Sequence, residues 1–267
     1  MIRTLTLALV LLGFGATGAA TQTLSDAQKL FYNAHYQEAS ALAMSLRESG
    51  QHDLANDEVR TTALLFELRG LLKGQDAHNG ADKETVLKAC TKCPAVMAEF
   101  NADLHHGQEL ARGMLKKNPN DPVALFYLGK LDLNFVWLQL GLLGKKTGWD
   151  EYWEARKSLD ALLKIDPKHV RARVARGWID YIVNTRMPWG TRWILGGGNK
   201  KKGLAMIREA AASETDPFSH AEAEFALWDI LLRDKNEKDA IEVARRIAKA
   251  FPENGEVAAF LAARAPK

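Results

Sequence analysis

The side chains best able to do chemistry are Cys90 and Cys93, in the stretch Cys90-Thr-Lys-Cys93-Pro94, the only two cysteines of the sequence. Two thiols so spaced can close a short structural disulfide in an oxidising compartment, which is the plain reading. The same spacing serves thiol–disulfide exchange when a helix N-terminus lowers the first thiol's pKa. That chemistry normally stands beside a βαβ unit, and no such pattern occurs. Haem attachment would need a histidine where Pro94 stands. Structural zinc needs four ligands. His106 follows Cys93 at a finger-like distance, but a second spaced histidine is missing, and the adjacent His105 points elsewhere on a helix. A free dithiol is the remaining alternative.

A second grouping is Gly196-Gly-Gly198-Asn199-Lys-Lys-Lys202, ahead of a helix expected near 202–212. Backbone N–H groups at a helix start can hold an anion, and nearby lysines would help. The phosphate-loop and dinucleotide glycine patterns are both absent, so a flexible, solvated connection is the simpler expectation. There is no nucleophile elbow, zinc-protease motif or calcium loop. Acidic residues alternate with basic ones at helical spacings, as on a solvated face, and no spacing argues for a general acid–base pair. We therefore expect no enzyme, no metal and no cofactor.

The elements that must carry these residues are helical throughout. Apolar residues recur at helical periods, and strict strand alternation is absent. Four prolines close helix-like segments: Pro119, Pro167, Pro217 and Pro252, spaced 48, 50 and 35 residues apart. Periods of this size mark stacked helix pairs. Twelve residues before these prolines stand Gly107, Ala155, Ala205 and Ala240, and ten after the first two stand Gly129 and Gly177. Small residues there would let paired helices approach closely. Ala27, Leu30, Phe31, Ala34, Tyr36, Ala39, Leu42 and Leu46 repeat the theme as one N-terminal helix pair.

This pattern of small residue, aromatic, alanine and closing proline resembles the tetratricopeptide repeat, best over 27–46 and 224–252, and covers most of 24–264. The resemblance implies an all-α, α-α superhelix, a solenoid of antiparallel helix pairs with a concave groove that binds peptides or proteins. Two consecutive repeats are extended: the gaps Gly129–Ala155 and Gly177–Ala205 exceed the expected 12 residues by 14 and 16. Loops are expected near 140–150 and 184–202, holding or flanking Trp137, Trp149, Trp189 and Trp193. A more distant similarity is to the T component of TRAP transporters, resting on helical-repeat architecture and the loop starting Leu195-Gly-Gly-Gly.

Placing the family's pairing on this chain lines the groove with Phe126, Lys130, Leu133 and Asn134, then Arg171, Val174, Trp178 and Tyr181, then Phe225 and Asp229. Tryptophan, tyrosine and arginine most often dominate binding energy. Trp178 has the alternative of filling space between helices. Trp189 and Trp193, with Arg192 between them, either tuck under their own loop or form a docking lip.

Residues 1–20 read as a secretory signal peptide: Arg3, an apolar run from Leu5 to Phe14, and small residues before a cut after Ala20. The mature domain is then 21–267, exported, and periplasmic if the source is bacterial. The most apolar later stretch, 133–143, is too short to span a bilayer. A net charge of +3 gives no footprint for nucleic acid. The expected function is a scaffold holding a protein or peptide partner. Alternatives are a small-molecule or lipid carrier beside a transport system and, further off, a thiol–disulfide enzyme.

Overall fold

The computed structural model describes residues 22–50, 53–79, 83–145 and 147–264. The expected signal peptide lies outside the described residues. The chain is all-α, with no strand among the described residues. In order the helices are α1 (Leu24–Tyr32), α2 (Tyr36–Glu48), α3 (Asp53–Asn79), α4 (Lys83–Ala89), α5 (Cys93–Lys117), α6 (Pro122–Val136), α7 (Trp149–Ile165), α8 (Val170–Arg186), α9 (Trp189–Arg192), α10 (Lys200–Ala211), α11 (Pro217–Arg233), α12 (Glu237–Ala250) and α13 (Gly255–Ala262). A π-helical turn, Trp137–Leu142, continues α6.

Helix starts follow local chemistry. Asp121, Asn199, Asp216, Asn236 and Asn254 each accept a hydrogen bond from the first turn of the helix they precede. Pro122 and Pro217 then open α6 and α11, where the missing N–H costs nothing. Pro217 therefore starts a helix that the sequence pattern has it end. Pro119 and Pro167 fall in the turns after α5 and α7, as expected.

Neighbouring helices pack in sequence: α1 on α2, α2 on α3, α5 on α6, α6 on α7, α7 on α8, α10 on α11 and α11 on α12. The small residues sit where helices cross, with one displacement. Ala155 and Ala240 are wholly buried. On α10 the close approach is made by Gly203, whose added Cβ would collide with the carbonyl oxygen of Gly177 on α8. Ala205, expected to do this, is exposed.

Two sets of contacts join elements far apart in the chain. α3 lies against α5 and also against α6, and α1 reaches α11. At the second junction the ring of Tyr32 stacks on Phe225 at 5.4 Å. Asn254 donates to the Tyr32 carbonyl at 2.8 Å, and the Asn33 side chain accepts from the Glu253 N–H at 3.1 Å.

The run Pro122–Leu142 (21 residues, mean hydropathy 1.2) is, by length and composition, enough to cross a bilayer. It exceeds the 133–143 stretch singled out from the sequence because it takes in the whole of α6 from Pro122. Half of it is buried within the protein, the pattern of a core helix.

Candidate partner-binding site

The face expected to line an open groove is engaged by the chain itself. Lys130 of α6 and Arg171 of α8 meet Glu222 of α11 and Glu58 of α3. Lys130 Nζ stands 2.6 Å from Glu222 and 3.5 Å from Glu58; Arg171 stands 2.5 Å from Glu222 and 2.9 Å from Glu58. Burial opposes a charge on Glu222, but Arg171 and Lys130 outweigh it and hold the carboxyl down at about 2. Burial likewise opposes a charge on Arg171, and Glu222 and Glu58 overcome it, raising its pKa further. Arg171 also lies over the buried Phe126 ring, 4.8 Å from its centroid. Asn134 donates to Thr61 at 3.0 Å and Thr62 at 2.9 Å, both on α3. Four side chains assigned to partner recognition thus have partners within the molecule.

Trp178 is half-buried and packs on the core of α8, α10, α11 and α12. It meets Trp137 and Tyr181 edge-on at 6.1 and 5.8 Å, with Arg233 over its ring. Tyr181 is buried and donates to Asp234 at 2.7 Å. Lys200 bridges to the same carboxylate at 2.7 Å.

The remaining three residues behave differently. Trp189 is 85% exposed and Trp193 76%, so neither tucks under its loop; Leu195, 5% exposed, does so instead. Arg192 donates to the Met187 carbonyl at 3.1 Å, closing the turn. The glycine run after them is pinned, contrary to the expectation of a flexible connection. Arg156 of α7 donates to the carbonyls of Leu195 (3.0 Å), Gly196 (2.7 Å) and Gly197 (3.2 Å), and Tyr152 adds a hydrogen bond to Leu195 at 2.8 Å. Gly196 and Gly197 have φ of 72° and 73°, a conformation that side chains disfavour. The carbonyls of 195–197, not their N–H groups, face the Arg156 cation.

Seven large apolar side chains are prominently exposed among the described residues, and five of them are Trp137, Trp149, Trp189, Trp193 and Ile194. They share one end of the α6–α7–α8 layer. α6 and α8 finish there, α7 starts there, and the bonds from Tyr152 and Arg156 tie the 195–197 turn to the start of α7. The same end has a skewed charge. Residues 133–149 and 181–202 contain seven lysines and arginines and no aspartate or glutamate, and the acids at this end are Asp150 and Glu151 in the first turn of α7. This absence of acids could have been counted from the sequence; the exposure of Ile194 and the rigid base under the turn could not.

Cys90 and Cys93 are joined in a disulfide, with Cα atoms 5.4 Å apart, at the start of α5. Both are buried beside Leu64 and Phe100, out of reach of an attacking thiolate. His106 lies about 20 Å further along α5 and pairs with Asp57 at 2.7 Å. Zinc binding by these three residues is thereby ruled out. Two surface clefts, of about 360 Å³ beside Tyr36, Phe66 and Arg69 and about 480 Å³ beside Arg208, His220 and Arg246, lie away from the tryptophan-bearing end.

A comparison with protein families finds no match to this chain, and a comparison with curated proteins finds none either.

Proposed function

We propose that this protein is an exported, non-catalytic scaffold of the tetratricopeptide-like kind, periplasmic if bacterial, which works by attachment through the end bearing Trp189, Arg192 and Trp193. The solenoid reading rests on the proline and small-residue spacing and on sequential helix packing. The attachment reading rests on one observation above all: Trp189, Trp193 and Ile194 stand exposed directly before a turn held by Arg156 and Tyr152, at the helix end where Trp137 and Trp149 are also exposed. Exposed apolar patches of this sort mark interaction sites, because leaving them in water is unfavourable unless a partner covers them. The groove residues of the sequence reading support stability within this proposal, since Lys130, Arg171 and Asn134 already have partners.

Site-specific photo-crosslinking tests it. Gly190, where a side chain would meet nothing within 4 Å, can carry a benzophenone amino acid, as can Gly113 on α5 as a control. In cells exporting the chain, a specific crosslink is expected from position 190 and none from position 113. No crosslink from 190, to protein or to lipid, would overturn the attachment reading.

A further inference from the structure

We infer that the surface covered by the tryptophan-bearing end is an anionic lipid bilayer, which the protein touches peripherally. This rests on the attachment reading and names its partner.

Three observations carry it. The first is the side-chain class at the tip. Trp189 and Trp193, with Ile194 54% exposed beside them, are amphipathic and apolar groups that settle at the headgroup–acyl boundary. The second is the charge around them. Arg186, Lys201 and Lys202 are exposed, and the tip segment 181–202 holds no acidic residue; the acids at this end are Asp150 and Glu151 in the first turn of α7. A protein interface core is depleted in lysine. A tip segment that carries lysines and arginines but no acid complements a surface of opposite sign, as anionic headgroups present. The third is mechanical. The turn is held by Arg156 and Tyr152, and Asn199 caps α10 by accepting from the Lys202 N–H at 3.0 Å. The turn directly after Trp193 is therefore held in place, which lowers the conformational freedom lost on contact.

The anchoring is peripheral. α9 has four residues, far short of a span. The apolar run 122–142 remains committed to the core through Asn134, Lys130 and the wholly buried Leu131 and Leu138.

The test is vesicle flotation at low salt, using protein expressed from the full 267-residue sequence and purified as the host processes it. Wild type is expected to float with phosphatidylglycerol-rich vesicles and much less with pure phosphatidylcholine, and to be released by salt. W189S/W193S should lower the partition coefficient at least about tenfold. Neutralising Lys201 and Lys202 to Gln should lower it about fivefold for each charge removed. Circular dichroism and melting temperature confirm that both variants are folded. Two results would overturn the inference: no flotation of wild type with anionic vesicles, or undiminished flotation of W189S/W193S. If flotation fails while position 190 crosslinks to a protein, the bilayer is wrong and attachment through this end stands. If neither vesicles nor crosslinks are found, both fail together.

Discussion

The inner face built by α3, α6, α8 and α11 and the tryptophan-bearing end use the same kinds of residue to opposite effect. On the inner face Arg171 has Glu222, Glu58 and the Phe126 ring, and Lys130 has both carboxylates. Every strong donor there is answered from inside the molecule. At the other end Trp189 and Trp193 stand in solvent among bases with no acid in the segment. Aromatic and cationic residues are the usual currency of recognition, but type alone does not identify a binding surface. What separates the two regions is whether their interactions are completed within the fold.

The strongest way to break the comparison is to unpair the inner face. Glu222→Gln leaves two buried cations with one carboxylate, and should cost about 3–5 kcal/mol, on the order of 10 °C in melting temperature. The pH dependence has a definite sign. Glu222 is held at about 2 against an ordinary 4.5, so its contribution is full above pH 4.5 and is lost as pH falls through that range towards 2. The gap between wild type and variant should therefore narrow on acidification, which thermal melts across pH 3–7 would reveal. A near-neutral substitution at pH 7 would show that this face is not a structural unit.

A smaller effect is expected at the disulfide. Replacing both Cys90 and Cys93 by Ser opens a short loop, worth about 2 kcal/mol by loop-closure entropy. Chemical denaturation would measure it. Flotation and crosslinking should be unchanged, because the bond lies at the start of α5, outside the segments that build the tryptophan-bearing end.

Asp132 marks where the interior pairing is incomplete. Gln108 donates to one carboxylate oxygen at 2.7 Å, and the other oxygen is buried without a partner. Burial, reinforced by Glu154, pushes its pKa up to about 8, despite the opposing effects of Gln108 and Arg112. A carboxyl raised in this way favours the fold while protonated. That contribution is complete below its ordinary 3.8 and is lost as the pH rises through about 8. Asp132→Asn should thus gain relative to wild type as pH rises, by about 1 kcal/mol or 2–4 °C at pH 9 and by less at pH 5. Equal melting temperatures at both pH values would show that Asp132 is not buried as described.

These expectations also show what could be read from the sequence. Helix content, the N-terminal pair and the crossings at Ala155, Gly177 and Ala240 follow from short-range periodicity, which is local information. α3 escaped such reading. Its charges, Asp57, Glu58 and Arg60, look like a solvated face, yet all three are buried. Their partners Arg47, Asp103 and Arg171 come from α2, α5 and α8. Long-range pairing leaves no periodic trace, so the internal partners of Lys130, Arg171 and Asn134 were invisible. At the crossing of α8 and α10 the close approach falls on Gly203, two residues before Ala205. The long gaps around 140–150 and 184–202, with Trp189, Arg192 and Trp193, were legible as departures from the proline spacing, although only the structure distinguishes an exposed lip from a tucked loop.

The smallest expected change is the most discriminating. Removing two tryptophans from a core would cost several kcal/mol each. At 85% and 76% exposed, Trp189 and Trp193 contribute little to the fold, and W189S/W193S should shift unfolding free energy by no more than about 0.5 kcal/mol. The same double variant is expected to lose attachment at least tenfold, whereas Glu222→Gln loses stability with no direct effect on it. Measuring both quantities for both variants completes the comparison. A large stability loss in W189S/W193S would mean that this end belongs to the core after all. A small loss with attachment abolished would separate the part of the molecule that holds itself together from the part that holds something else.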